Sequence, residues 1–224
     1  MNLEGTTVAV FGAYGLIGTA CAHAFREAGA QVHLVGRDRA KLEALAGELG
    51  ETTTFAARDI ASPNDARAAL DGHGPFAAIV TPIGGPAPSG PIAEAAADEV
   101  VEAMRGKLLS QWAVAGAADD ALQPGGALVL FSGLLARFSM PGMNALGTVN
   151  AAVERLAQSL DAEMEGRRVR CISPGIVKDG ADASKGESLP SEVAALAVAI
   201  AREDDAESAV IRDIPEGLAP KAAA

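Results

Sequence analysis

The sequence predicts an α/β fold in which one parallel sheet of about seven strands has helices on both faces. Two observations predict it. Short β-branched runs alternate with Ala/Leu-rich segments along the chain, and turn residues separate the two kinds of segment. The 224 residues contain no linker, charge block or internal repeat, so we expect a single domain over 1–224, with 221–224 as a frayed tail.

Each predicted strand is a short apolar run, and each predicted helix has apolar residues at helical spacing. Asp38 is expected to cap a helix that Gly50 ends, and Ser62 with Pro63 is expected to open a shorter one. Strands are predicted at 6–11, 31–35, 53–57, 76–80, 127–131, 168–172 and 208–214. Later helices are predicted at 98–122, 144–165 and 191–202.

Charge and composition argue against several classes of protein. The chain has 18 Lys and Arg against 29 Asp and Glu, and this net charge of −11 disfavours nucleic acid as a partner. The best apolar run, 193–201, is about half the length of a membrane span, and the first residues lack a signal-peptide pattern, so we expect a cytoplasmic protein without a membrane partner. Cys21 and Cys171 are expected to be buried thiols, and the three histidines share no ligand spacing, so no metal is expected.

Three spaced glycines follow the first predicted strand. Gly12, Gly15 and Gly18 stand between that strand and the first predicted helix. A turn there requires positive φ, a pyrophosphate requires close approach to the backbone, and the start of the helix supplies free N–H groups. The motif therefore favours a dinucleotide site over its alternative, a packing turn without a ligand. Tyr14 lies in this loop and is expected to pack on the adenosine end.

The end of the second strand indicates which dinucleotide binds. An NAD site usually carries Asp or Glu there for the ribose 2′-OH, but this chain has Val35, Gly36 and Arg37, with no carboxylate before Asp38. The guanidinium of Arg37 can pair with a 2′-phosphate, which favours NADP(H). The alternative is that Arg37 is a solvated turn residue and Asp38 only a helix cap.

Five motifs in family order resemble the short-chain dehydrogenase/reductase family over nearly the whole chain. They are the glycine loop 12–18, Arg58-Asp59-Ile60, Val80-Thr81-Pro82-Ile83-Gly84, the strand ending at Ser132-Gly133, and the strand and turn 170–177. The resemblance implies a Rossmann-type, doubly wound sheet. It also implies that a nicotinamide dinucleotide contacts Gly12, Tyr14, Gly15, Leu16, Ile17, Gly18, Arg37, Asp59, Ile60, Thr81, Pro82, Ile83, Gly84, Pro174, Gly175, Ile176 and Val177.

The active-site positions depart from the family pattern. The family uses Tyr-x-x-x-Lys on the helix after the catalytic serine, but the alignment puts Leu146 at the tyrosine place and Asn150 at the lysine place. Ser132 lies one residue from the serine place, and Lys107 stands in the region where the family has asparagine. Lys and Asn are thus exchanged. The segments around Ser132 and Asn150 resemble a divergent branch of the family, which favours a preserved alternative site.

The predicted catalytic set is Lys107, Ser132 and Asn150. Leucine cannot protonate an alkoxide, whereas a desolvated Lys107 can act as the acid or as a cation. Ser132 is expected to hydrogen-bond the developing oxyanion, and Asn150 to position the nicotinamide ribose or a water. The alternative is that Lys107 is a surface charge, Ser132 a strand-end hydroxyl and Asn150 a buried amide.

We weigh three functions on this fold. The first is an NADP(H)-dependent carbonyl reductase or alcohol dehydrogenase that acts on a small organic substrate with a non-tyrosine proton donor. The second is a dinucleotide-binding sensor or inactive subunit, because the usual Tyr and Lys are absent. The third is a non-redox dehydratase, isomerase or cyclase. The two long helices resemble the dimer interface of the family, so a homodimer or homotetramer is expected.

Overall fold

The computed structural model describes residues 2–202 and 209–214. These residues form seven α-helices and nine strands. The strands are β1 (Thr7–Phe11), β2 (Gln31–Gly36), β3 (Thr54–Ala57), β4 (Phe76–Val80), β5 (Leu122–Phe131), β6 (Arg168–Pro174), β7 (Ile176–Val177), β8 (Glu187–Ser188) and β9 (Ile211–Ile214). The helices are α1 (Leu16–Glu27), α2 (Arg39–Leu49), α3 (Pro63–Leu70), α4 (Ala97–Met104), α5 (Ser110–Ala121), α6 (Asn144–Glu163) and α7 (Pro190–Arg202).

The main sheet has seven parallel strands in the order β3-β2-β1-β4-β5-β6-β9. The predicted fold class is therefore confirmed as a doubly wound, Rossmann-like sheet. The strand order reverses between β1 and β4, and the crevice outside the carboxyl ends of the strands at such a point is the usual ligand site of this architecture. A short parallel pair, β7 with β8, forms a separate small sheet that the periodicity did not predict.

Two apolar clusters hold the helices on the sheet. One packs α1, α2 and α7 on one face and includes Phe25 and Leu42. The other packs α3, α5 and α6 on the opposite face and includes Val114 and Val153. Cys21 lies in the first cluster and Cys171 in the second, and both are buried free thiols. The caps at Asp38 and Ser62 form as expected, since each side chain accepts a hydrogen bond from a backbone N–H of its own helix.

The predicted helix over 98–122 is wrong in detail. A π-helical turn at Arg105–Leu109 separates α4 from α5, and α5 ends at Ala121 because β5 already begins at Leu122. The Pro-Gly-Gly segment, residues 124–126, lies in the first half of β5, where the pairing with β4 is irregular. The last predicted strand is observed at Ile211–Ile214, while its expected start at 208 and the expected tail at 221–224 lie outside the described residues.

No helix in the described ranges is long and apolar enough to cross a membrane.

A neutral histidine is part of the sheet packing. His33 in β2 is fully buried, and its Nε2 lies 2.8 Å from the backbone oxygen of Ala69, which can only accept. Nδ1 therefore accepts from the hydroxyl of Thr54 at 2.7 Å. Burial lowers the pKa of His33 from 6.5 to about 4. The ring also stacks on His73, with 4.1 Å between centroids.

This shift predicts a loss of stability in mild acid. Between pH 6.5 and 4 the unfolded chain takes up a proton that folded His33 does not, so the free energy of unfolding falls as the pH decreases. We expect about 2.5 kcal/mol of this fall to disappear in His33→Gln, measured by urea unfolding at pH 7.5 and pH 4.5. His23→Gln, at a half-exposed site, is the control, and equal pH dependence of all three proteins would contradict the prediction.

Candidate functional site

Two cavities lie along the carboxyl ends of the central strands. The larger, of about 660 Å³, is lined by the turn after β5, the start of α6 and the segment after β6. The smaller, of about 370 Å³, is lined by the β1–α1 loop, the end of β2 and the loops after β3 and β4. These are the positions that a doubly wound sheet uses for a dinucleotide and the molecule that reacts with it.

The glycines of the β1–α1 loop allow close approach of backbone segments. Gly12 has a φ of +69°, and a Cβ placed there would lie 2.9 Å from the carbonyl oxygen of Pro82. Gly15 is the N-cap of α1 and offers no side chain to the free N–H groups of that helix. Gly18 has a different role, because a Cβ there would lie 2.1 Å from the carbonyl oxygen of Gly12. It permits close packing of helix and loop.

The end of β2 is closed to an acidic side chain. The ring of Tyr14 covers Gly36 so closely that a Cβ at that position would lie 2.5 Å from Tyr14 Cε1. The Tyr14 hydroxyl accepts hydrogen bonds from the backbone N–H groups of Arg37 and Asp38, at 3.2 and 3.3 Å. Asp38 is engaged as a helix cap, since its Oδ1 accepts from Lys41 N. The exposed Arg37 lines the smaller cavity.

Lys107 lies in the larger cavity with its amine held in place. Nζ donates a 2.8 Å hydrogen bond to the backbone oxygen of Ser132, which joins the π-helical turn to the end of β5. Burial lowers the pKa of Lys107 from 10.5 to about 8. An amine with this pKa changes protonation near neutral pH, as a general acid or base must.

The π-helical turn explains how Lys107 points inward. Lys107 is the central residue of this turn, where the wider backbone ring changes the rotation of the side chains relative to α4. The hydroxyl of Ser110 donates to the backbone oxygen of Arg105 at 3.0 Å and closes the turn. Gly106 lies against the loop after β4, because a Cβ there would be 3.6 Å from the Cα of Gly85. Helical periodicity carries no signal for such an inserted residue.

Asn150 and Leu146 both line the larger cavity from α6. Asn150 is 2% exposed, and its Oδ1 is a buried acceptor that has no hydrogen-bond partner within the described part of the chain. Gly133 leaves room for it, since a Cβ there would lie 2.9 Å from Asn150 Nδ2. Leu146 adds only an apolar surface. The alignment of α6 with the family helix thus puts the tyrosine and lysine places on the wall of the cavity.

The hydroxyl of Ser132 faces a buried carboxylate that sequence reasoning missed. Ser132 Oγ donates to Glu154 Oε1 at 3.0 Å, and Ser173 Oγ donates to the same oxygen at 3.0 Å. The guanidinium of Arg137 donates to Ser173 Oγ at 3.0 Å and lies 3.4 Å from Glu154 Oε1. Arg137 also pairs with Asp213 of β9. Glu154 follows Asn150 by one helical turn on α6, so the two side chains share a face of the helix. This spacing points to Glu154 only after Asn150 has been assigned to the site.

A buried amide ties the site to the sheet. Gln111 of α5 is fully buried, and its Nε2 donates to the backbone oxygen of Phe131 at 2.9 Å while its Oε1 accepts from the Phe131 N–H at 2.9 Å. Thr81 Oγ1 also lies 2.9 Å from Gln111 Oε1. Thr81 therefore belongs to this hydrogen-bond network and does not line either cavity.

The remaining predicted dinucleotide residues divide between the two cavities. Asp59, Ile60, Pro82, Ile83 and Gly84 line the smaller one together with Gly12, Tyr14, Gly15 and Arg37. Ile17, Pro174, Gly175, Ile176 and Val177 line the larger one. Leu16 and Gly18 line neither, because Leu16 is exposed on α1 and Gly18 is packed under the loop.

Comparison with known proteins agrees with this architecture. A family model described as enoyl-(acyl carrier protein) reductase matches residues 12–210. No curated protein matches the chain significantly. Among solved structures, a short-chain type dehydrogenase/reductase from Mycobacterium ulcerans has 24% sequence identity and a TM-score of 0.84, covering 96% of this chain and 90% of its own.

Two further structures are similar. A short chain dehydrogenase from Mycobacterium smegmatis has 20% identity and a TM-score of 0.85, covering 96% of this chain and 94% of its own. One from Shigella flexneri 2a has 20% identity and a TM-score of 0.84, covering 95% and 98%. At these identities the structures show the fold, and the family model extends over most of the sequence. The chain belongs to the short-chain dehydrogenase/reductase family of oxidoreductases, whose members bind nicotinamide dinucleotide cofactors.

Proposed function

We propose that this protein is an NADP(H)-dependent oxidoreductase that interconverts a carbonyl and an alcohol with Lys107 in place of the missing tyrosine. The observation that carries the proposal is the Lys107 amine in the larger cavity, fixed on the backbone oxygen of Ser132 at 2.8 Å. Its pKa of about 8 suits proton transfer near neutral pH.

The residues present fit a nicotinamide dinucleotide. Gly15 leaves the first N–H groups of α1 without a side-chain cap, and the Oδ1 of Asn150, which has no partner among the described residues, offers an acceptor beside the larger cavity. When bound, the nicotinamide supplies or accepts a hydride. The glycine loop and the start of α1 would hold the pyrophosphate, and Asn150 would bind a ribose hydroxyl.

Lys107 would manage the proton of the reaction. In carbonyl reduction its ammonium donates a proton to the oxygen of the substrate, and in alcohol oxidation the neutral amine takes that proton back. The lining of the same cavity includes the apolar side chains of Leu134, Phe138 and Leu146, which suit a substrate with an apolar body. This geometry supports Lys107 as the acid and Asn150 as a positioning group.

The end of β2 supports NADP(H) over NAD(H). Tyr14 covers Gly36 and Asp38 caps α2, so no carboxylate is available there for a ribose 2′-OH, whereas Arg37 reaches the smaller cavity. We expect Arg37→Ala to weaken NADPH binding by about tenfold to a hundredfold, because a charge-assisted pair with the 2′-phosphate is lost. NADH binding should stay the same. Calorimetric titration with both nucleotides measures the two affinities.

Arg39→Ala is the matched control for this change. Arg39 carries the same charge two residues away, but it pairs with Glu43 and lies over the ring of Phe55. Its replacement should leave both affinities unchanged. A wild-type protein that binds NADH as tightly as NADPH would refute the assignment of Arg37.

A second candidate function is nucleotide binding without turnover. It is favoured by Leu146 and Asn150, which put no titratable group on the part of the α6 wall where the family has its tyrosine and lysine. A screen of aldehydes, ketones and their alcohols, monitored by NADPH absorbance, separates the two functions. Turnover supports the reductase, whereas saturable NADPH binding with no turnover of any member supports a sensor or an inactive subunit.

We also propose that the chain forms a homo-oligomer through the α4–α5 and α6 segments. Three large apolar side chains of the α4–α5 segment are exposed, namely Val101 at 47%, Leu109 at 48% and Trp112 at 56%. A second copy would remove this apolar surface from water. Trp112 lines neither cavity and belongs to this proposed contact surface.

A further inference from the structure

The carboxylate of Glu154 lies behind Ser132 and accepts the hydrogen bond of its hydroxyl. This contact bears on whether Ser132 donates or accepts toward the larger cavity. Glu154 is 8% exposed, and its Oε1 accepts hydrogen bonds from two hydroxyls. The guanidinium of Arg137 lies 3.4 Å from the same oxygen. Glu154 does not line the cavity itself. Its effect on a bound molecule must therefore pass through Ser132, which does.

The proton of the Ser132 hydroxyl points away from the cavity. A carboxylate can only accept, so the 3.0 Å contact between Ser132 Oγ and Glu154 Oε1 uses the single O–H of the serine. Ser173 does not free the proton of Ser132. Its own O–H donates to the same Glu154 oxygen, and its oxygen accepts from Arg137. A molecule that reaches Ser132 Oγ from the cavity meets a lone pair.

The local charge strengthens this polarity. The cluster behind Ser132 contains two carboxylates, Glu154 and Asp213, and one guanidinium, Arg137, so its net charge is −1. A hydroxyl hydrogen-bonded to an anion is a better acceptor than one hydrogen-bonded to a neutral group. The Lys107 amine lies on the other side of the same residue and offers donors to the cavity.

We propose that Glu154 is a positioning residue that makes Ser132 an acceptor, so the site selects a substrate in its hydroxyl form. This inference rests on the proposed function and names its substrate class, an alcohol with an apolar body. Below about pH 8 a bound hydroxyl oxygen accepts from the ammonium form of Lys107 and donates its own hydrogen to Ser132; when the amine is neutral, as oxidation requires, the same hydroxyl turns to donate to Lys107. A carbonyl oxygen accepts from Lys107 but meets the lone pair of Ser132 without a proton to share.

A matched pair of probes tests the polarity. 1-Phenylethanol and acetophenone have nearly the same shape and differ in whether the oxygen carries a proton. Their affinities are measured by ligand-observed NMR on the nucleotide-free full chain, so the result does not depend on nucleotide binding or turnover. We expect the alcohol to bind about tenfold more tightly to the wild-type protein, as one hydrogen bond predicts.

Variants of Glu154 then assign the preference. Glu154→Leu frees the hydroxyl of Ser132 to rotate toward the cavity, and the alcohol-to-ketone affinity ratio should fall to about one. Glu154→Gln keeps an acceptor oxygen for Ser132, so this variant should retain most of the wild-type preference for the alcohol. Ser132→Ala removes the acceptor without removing the contacts of Glu154 with Ser173 and Arg137, and should also abolish the preference.

The double variant separates positioning from support of the fold. If Glu154 acts through Ser132, adding Glu154→Leu to Ser132→Ala leaves the ratio unchanged. A purely structural Glu154 would weaken both probes equally and would do so in either background. The proposal is overturned by a wild-type ratio of one or less, by failure of both probes to bind, or by a preference that survives Glu154→Leu. If the wild-type protein binds neither NADPH nor NADH, the proposed function is overturned, but the alcohol-to-ketone affinity ratio can still be measured.

Discussion

Replacement of Lys107 by alanine is expected to lower the kcat of carbonyl reduction by about 10²–10⁴-fold. Alanine removes the amine that is held beside Ser132, and its neighbours do not replace it, because Asn150 does not titrate and the proton of Ser132 is held by Glu154. Steady-state kinetics with NADPH on the best carbonyl substrate of the screen measures the effect. NADPH affinity should change less than kcat, since the residues proposed to hold the phosphates line the smaller cavity, which Lys107 does not.

The pH dependence identifies the proton that is transferred. Burial places the pKa of Lys107 at about 8, so the ammonium predominates below this pH and the neutral amine above it. Reduction needs the ammonium and should slow as the pH rises through 8. Oxidation needs the neutral amine and should become faster over the same range. Lys107→Arg keeps the positive charge but does not titrate, and should lose this feature of both profiles.

Lys185→Ala is the matched control for these experiments. Lys185 lines the same cavity and carries the same charge, but it is exposed and lies 3.7 Å from Asp182. We expect its replacement to change kcat by less than about threefold, as for a solvated surface charge. If Lys107→Ala retains full turnover, Lys107 is not the acid and the proposed mechanism is wrong.

The largest expected effect on stability comes from Gln111. Methionine at this position keeps the length and much of the volume of the side chain but removes both polar groups. Two buried groups would then lose their partner, namely the N–H and the carbonyl oxygen of Phe131, while the hydroxyl of Thr81 keeps its hydrogen bond to the backbone oxygen of Val129. We expect Gln111→Met to lower the free energy of unfolding by about 4 kcal/mol, since each buried polar group left unpaired costs about 1–3 kcal/mol. Urea unfolding at pH 7.5 measures this.

Gln158→Met provides the comparison on an exposed position of α6. It should change the free energy of unfolding by no more than about 0.5 kcal/mol. Because Phe131 immediately precedes Ser132, the Gln111 variant should also weaken the alcohol preference, whereas the Gln158 variant should not. A change below about 1 kcal/mol in Gln111→Met would show that water satisfies these groups after the substitution.

Local signals predicted most of the fold. The strand at Phe76–Val80 was predicted with its observed bounds, and the caps at Asp38 and Ser62 form as expected. These elements are specified by short-range sequence, because an apolar run or a capping side chain acts on neighbouring backbone. The interruption of the helix at Arg105–Leu109 was not predicted, since one inserted residue leaves the apolar pattern nearly intact.

The sequence by itself determined the family, the parallel α/β class of the sheet and which residue types stand at the catalytic places. Only the tertiary structure decided what those residues contact. Lys107 reaches Ser132 across the fold, and Glu154 holds the serine proton from a different helix. Both contacts join residues more than twenty positions apart, so their geometry depends on how the elements pack. A hydrogen bond acts only at a specific distance and angle, and packing is what sets these.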